Sequence, residues 1–116
     1  MGADQTAISI TALAATDTMQ IIKLPAGSVV LSAGMNVLEV ETVNATATID
    51  IGFTGGSPAA ANAYGNDLAT NSLGLKAADL ANPTIVASAD TIDILLNTAV
   101  PENAVIKFFA FVANAN

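Results

Sequence analysis

The chain contains no cysteine, histidine, tryptophan or arginine, and each absence removes a class of chemistry. Without cysteine there is no disulfide framework, no thiolate nucleophile and no zinc site built on sulfur. Without histidine there is neither a histidine-assisted serine nucleophile nor an imidazole metal ligand. Charge is also scarce: charged residues make up 11% of the chain, less than half the usual quarter. Three basic residues stand against ten acidic ones, for a net charge of -7. Lys23, Lys76 and Lys107 are scattered, so no basic cluster exists to neutralise phosphates, and nucleic acid is not an expected partner. The same scarcity removes the polybasic patch that draws a protein to an anionic membrane. No apolar run approaches the roughly 18 residues of a membrane-spanning helix. The opening residues, MGADQTAISI, lack the basic and apolar regions of a secretory signal, and the Met1-Gly2 start is read as chance rather than as a lipidation site.

What the chain does have is apolar and β-branched. Its 116 residues are 53% hydrophobic, the length of one ordinary domain, and a single domain over 1–116 is expected. With so little charge, the surface must rely on Thr, Asn and Ser or bury apolar patches against neighbours. The apolar runs are short and bounded by Gly, Pro or Asn, the signature of strands rather than helices. Strands are predicted over 7–12, 18–24, 28–41, 46–53, 84–88, 91–96 and 104–113. Together they make an all-β fold, an antiparallel two-sheet sandwich of jelly-roll type. Gly34 interrupts the alternation of VVLSAGMNVLEVE and is expected to mark a bulge or a change of sheet. The Ala-, Gly- and Asn-rich stretch from Gly55 to Asn82 reads as a long central loop, with a helical turn possible over Leu75–Leu80. Pro101 and Asn103 punctuate a connection that would pair the last two strands as a hairpin. In the final strand both alternating rows are mostly apolar: Ile106, Phe108 and Ala110 on one side, Val105, Lys107, Phe109 and Phe111 on the other. Such a strand is central and covered, or it packs on another subunit.

The tetrapeptide Thr-Ile-Asp-Ile occurs twice, at Thr48–Ile51 and Thr91–Ile94. Alternation puts Ile49, Ile51, Ile92 and Ile94 in the core, and Asp50 and Asp93 on the solvent-facing rows. Nothing in the spacing forces the two aspartates to the separation of about 5 to 10 Å that paired carboxylates need for glycoside hydrolysis. Glu39, Glu41, Asp50, Asp90 and Asp93 are oxygen ligands suited to calcium, but no acidic loop gathers them. GFTGGS is glycine-rich yet lacks the lysine of a phosphate loop. Catalytic residues, metal and cofactor are therefore expected to be absent. Tyr64, the only tyrosine, is either a loop contact for a partner or sugar, or a ring tucked over a sheet.

The order IIKLPAGSVVLSAGMNVLEVETVNATATIDIGF, with Leu24-Pro25-Ala26-Gly27 leading into Val29-Val30-Leu31 and a T-x-D-x-G strand at Thr48–Gly52, resembles the small β-sandwich head decoration, or cement, proteins of tailed bacteriophages. The resemblance covers residues about 20 to 56. It implies a structural virion protein on the outer capsid surface, with no enzymatic activity. The implied partners are the major capsid protein and copies of itself, as a dimer or trimer, meeting at an interface that would include Tyr64, Lys107, Phe109 and Phe111. The alternative is a head-fibre or tail-knob module that binds a host-surface glycan. Such a site favours several aromatic rings on one face, and this chain has one Tyr and no Trp.

Overall fold

Alternating apolar and polar side chains, with Gly, Pro and Asn at the breaks, fold the described residues into strands and their connections. The computed structural model describes residues 2–8, 18–53, 60–77, 84–97 and 99–114. The strands are β1 (Gly2–Ile8), β2 (Thr18–Leu24), β3 (Ser28–Glu39), β4 (Thr48–Phe53), β5 (Ala60–Ala69), β6 (Gly74–Ala77), β7 (Thr84–Ile85), β8 (Asp90–Asn97) and β9 (Val105–Asn114). They form two antiparallel sheets. The first runs β1-β9-β3-β6, with β7 also paired to β3, and the second runs β2-β8-β4-β5.

The core lies between the sheets. Val30, Ala33, Met35, Val37, Ile106, Phe108 and Ala110 line the first sheet's inner face, and Ile22, Leu24, Ile49, Ile51, Ile92, Ile94 and Leu96 line the second. The four isoleucines of the repeated tetrapeptide are all fully buried, as their alternation predicts. The pairing Ile51↔Ile94 sets the two copies side by side on β4 and β8. The repeat is therefore the inner row of two adjacent strands.

Several local expectations are corrected. Gly34 is no break: it lies within a continuous β3 and pairs with Phe109 on one side and Ala77 on the other. The phase changes instead at bulges between Val30 and Ser32 and between Val37 and Glu39. An extra residue at each bulge resets which side chains face inward without moving the strand to another sheet. The region read as a long loop contains β5 and β6, and Leu75 to Ala77 are strand rather than helical turn. These strands are weak in sequence but serve as sheet edges, recruited by the ladders of β4 and β3. β5 follows β4 irregularly, with register shifts after Ile49 and Ile51. At Gly65 an added Cβ would lie 2.5 Å from Leu68 Cδ1 of the same strand, so the Leu68 side chain would have to shift, while the nearest β4 atom, Ile51 Cβ, would stand at an ordinary 3.6 Å. The first strand is Gly2–Ile8 rather than 7–12, and residues 9–12 lie outside the described residues. β7 is shorter than expected.

The last two strands do not form a hairpin. β8 pairs with β2 and β4, whereas β9 pairs with β1 and β3. The connection from 98 to 104 therefore crosses between sheets. A hairpin would have put both apolar strands in one sheet; the crossover gives each sheet one of them in an interior position.

Candidate assembly surface

The outer row of β9 carries Val105, Lys107, Phe109 and Phe111, alternating with the buried inner row. Phe111 is 41% exposed and Phe109 half-buried, their rings meeting edge to face with centroids 5.8 Å apart. Across the ladder, Ser32 stands opposite Phe111, Gly34 opposite Phe109 and Asn36 opposite Lys107. On the β3 side, these short neighbours leave the edges of the two rings uncovered. Around them lie Leu75 of β6, Ile85 of β7 and Val105, exposed by 70%, 68% and 39%. Leu38 at the bulge and Leu73 just before β6 extend the apolar area. Of the described large apolar residues that are exposed, only Val43, in the turn after β3, lies away from the strands of this sheet or their immediate ends. The sheet thus has two apolar faces, one inside the sandwich and one open. These exposed apolar residues make the face the candidate interaction surface among the described residues.

The second sheet presents a polar outer face. Asp50 and Asp93 project from it, as alternation predicts, but both are buried, at 8% and 1% exposure. Asp50 Oδ1 accepts the Asp67 backbone N–H at 2.7 Å and the Asn97 Nδ2 amide at 2.7 Å. Asn97 also donates to Asp67 Oδ1, which accepts the Thr48 hydroxyl as well. Asp67 sits in the left-handed region at φ 51°, a conformation aspartate tolerates better than most residues, and this turns its N–H toward Asp50. Asp93 accepts the Thr91 hydroxyl at 2.5 Å. Asp50 pairs with Leu95 and Asp93 with Gly52, so the two are diagonal neighbours on adjacent strands, about 7 to 8 Å apart. The expectation that they form a wet outer row is corrected: the irregular β5 brings Asp67 over β4, and strand donors enclose Asp50. The arrangement is a set of satisfied strand-to-strand hydrogen bonds. Among the described residues, no group of three or more acidic side chains is placed to hold a metal ion.

Tyr64, considered above as a loop contact, is on β5 and 4% exposed, its ring edge-on to Phe53 at 5.8 Å. It is a core residue and leaves the set of surface candidates. Lys107, Phe109 and Phe111 fall together on one face.

One residue with a large structural role was legible only as a generic oxygen ligand. Glu41 is 2% exposed, in the turn after β3. Its Oε1 accepts the backbone N–H groups of Val43 and Asn44, each at 2.9 Å, and its Oε2 accepts those of Glu102, Asn103 and Ala104 at 2.6, 2.9 and 3.1 Å. Asn103 and Thr42 add a reciprocal pair of hydrogen bonds beside it, and Asn44 Nδ2 donates to the Val100 carbonyl. The carboxylate thus ties the β3–β4 turn to the crossover before β9. Burial pushes its pKa upward, but the backbone N–H donors of Asn44, Asn103, Val43 and Ala104 outweigh that effect and lower it from 4.5 to about 2. Because the folded pKa lies below the unfolded one, the stabilisation is present above pH 4.5 and is lost as pH falls through about 2. Allowing for solvent screening at the turn, about 2 kcal/mol is expected to disappear over that window. Urea unfolding at a series of pH values, with the midpoint falling through this interval, checks it.

No protein-family model and no curated protein sequence matches the chain. Among solved structures, the fold is similar to a chain of the acidic stable capsid structure of Helicobacter pylori bacteriophage KHP30. That match has a TM-score of 0.56 and 14% identity, and it covers 95% of this chain and 98% of that one. The likeness therefore runs end to end between chains of nearly equal length, and at this identity it concerns the fold.

Proposed function

We propose that this chain is a structural virion component, a capsid decoration or cement protein that sits on the outer surface of a phage head and stabilises it by packing between subunits. The observation that carries the reading is the open apolar face of the first sheet, on a sandwich similar throughout to a chain of a phage capsid structure. The strand orders β1-β9-β3-β6 and β2-β8-β4-β5 support a jelly roll of two four-stranded sheets, in which the chain changes sheet at each connection except β4–β5, and β7 is an addition to the first sheet. One hydrophobic cluster drawing on both sheets supports a single domain. The partners in this reading are the major capsid protein and copies of the chain itself, with Lys107, Phe109 and Phe111 in the contact. No catalytic role is assigned to any residue.

Energetics favour such a role for a weakly charged surface. A standard interface buries about 1,600 Å² in total, and apolar area contributes roughly 25 cal/mol per Å² before the cost of association is subtracted. Many copies on one shell multiply a modest net gain. The glycan-binding alternative loses its best residue with the burial of Tyr64. The shallow depression between β2 and β8, lined by Gln20, Lys23, Leu24, Pro25, Ala89, Asp90 and Thr91, offers no aromatic ring for a sugar to stack on.

The test is to mix purified protein with undecorated expanded heads and follow co-sedimentation. Saturable binding at a fixed number of copies per head is the expected result. No binding to heads, together with retention on a glycan array, would replace this reading with the alternative.

A further inference from the structure

We propose that the outer face of the β1-β9-β3-β6 sheet is covered by a second copy of this chain, in a two-fold dimer whose axis lies in the interface and crosses β9 at Phe109. The inference rests on the assembly-surface reading of that face, but not on the virion role.

Three observations select a second copy as the occupant. The first is charge. The chain carries -7 overall, so two copies repel unless they meet where carboxylates are few. In this sheet Glu39 stands at the rim opposite Val105 and Asp4 of β1 is paired with Ala110 of the inner row, while Asp50, Asp67, Asp90 and Asp93 all belong to strands of the other sheet. The second is size. The molecule measures 44 × 24 × 22 Å, so its broad face offers on the order of 1,000 Å², against the roughly 800 Å² per partner of a standard interface. The third is self-complementarity along β9. A two-fold axis perpendicular to β9 at Phe109 runs the two strands antiparallel across the interface, so that position 109 + k faces position 109 − k. Phe109 then meets its own copy, and Lys107 of each copy lies over the exposed Phe111 ring of the other, a cation–π contact made twice.

The other in-plane axis is disfavoured by the same residues. An axis along β9 would set Lys107 against Lys107, a like-charge contact in an apolar interface. The antiparallel choice instead carries the Glu39 end of one copy to the Ala113 end of the other. Sheets stacked in this way pack about 10 Å apart, with the side chains of both faces interleaved. The Phe109–Phe111 pairs of the two copies would form a four-ring cluster at the centre, where binding energy concentrates in protein interfaces.

The absence of native cysteine makes the geometry directly testable. Sedimentation equilibrium of the wild-type protein at about 100 µM should give twice the chain mass of 11.6 kDa. Phe111→Asp should give a monomer with an unchanged far-ultraviolet spectrum, and Lys107→Ala should weaken the dimer about tenfold, since each dimer loses two contacts. With a short bismaleimide, Phe109→Cys should cross-link to a covalent dimer and Val105→Cys should not, whereas Val105→Cys combined with Ala113→Cys should. A monomeric or trimeric wild type, a Phe111→Asp variant that remains dimeric, or cross-linking through Val105→Cys but not Phe109→Cys overturns the proposal. Because none of these measurements involves heads, failure of the dimer and failure of the virion role are read separately. If Phe111→Asp blocks head binding while the dimer persists, the face belongs to the shell and not to a second copy.

Discussion

Phe108→Ala should lower the stability of the folded chain by about 4 kcal/mol, the largest single-residue effect expected here. Phe108 is fully buried on β9, opposite Met35 of β3, in the cluster shared by both sheets. Truncation removes the transfer free energy of the ring and leaves a cavity bounded by strands that are hydrogen-bonded on both sides and cannot collapse into it. In a domain whose total stability is about 5 to 15 kcal/mol, the loss should lower the melting temperature by roughly 15 °C. Chemical denaturation should show a lower midpoint with an unchanged slope. Phe111→Ala, three residues on but on the open face, should cost about 1 kcal/mol or less in the isolated monomer. Equal losses at both positions would contradict the assignment of inner and outer rows.

Glu41→Gln is expected to cost about 3 kcal/mol, although it changes neither volume nor shape. The native carboxylate only accepts, and five backbone N–H groups converge on its two oxygens. An amide keeps one acceptor and turns its NH₂ group toward N–H donors, leaving either the 43–44 or the 102–104 set without an acceptor. The variant also carries its own pH signature. Wild-type stability falls between pH 4.5 and about 2 as Glu41 takes up a proton, whereas the Gln variant lacks that titration. The stability difference should therefore narrow as the solution is acidified. Glu102→Gln, at an exposed position in the same turn region, should change stability by about 0.5 kcal/mol or less and serves as the control. A Glu41→Gln variant as stable as wild type at about pH 7 would mean that water, not the carboxylate, satisfies the crossover.

The crossover bears on the open face as well as on stability. It delivers β9 to the centre of the first sheet, between β1 and β3, and so decides which residues form the open face. Loosening the Glu41 tie acts just before that strand, at Ala104.

The core was legible in the sequence because burial on one face of a strand imposes a period of two. Ile49, Ile51, Ile92, Ile94, Ile106 and Phe108 follow it without exception, and the bounds of β2 coincide with its apolar run. The two rows of β9 were equally legible, as was the scarcity of charge and of catalytic side chains. Strands β5 and β6 were not, because Ala, Gly and Asn have little intrinsic strand preference; these segments become strands only when β4 and β3 present open ladders to them.

The carboxylates mark the same boundary. Their faces follow from alternation, but burial of Asp50 depends on Asp67 and Asn97, 17 and 47 positions away, and burial of Glu41 on donors up to 63 positions away. By itself the sequence determined that this is an all-β sandwich with an isoleucine-rich core and a second apolar row on its last strand. Only the tertiary structure decided that Tyr64 belongs to the core, that the final strands lie in different sheets and that Glu41 ties a crossover. The physical reason is range: periodicity is a property of neighbours along the chain, whereas satisfying a buried polar group depends on which distant segments the sheets bring to it.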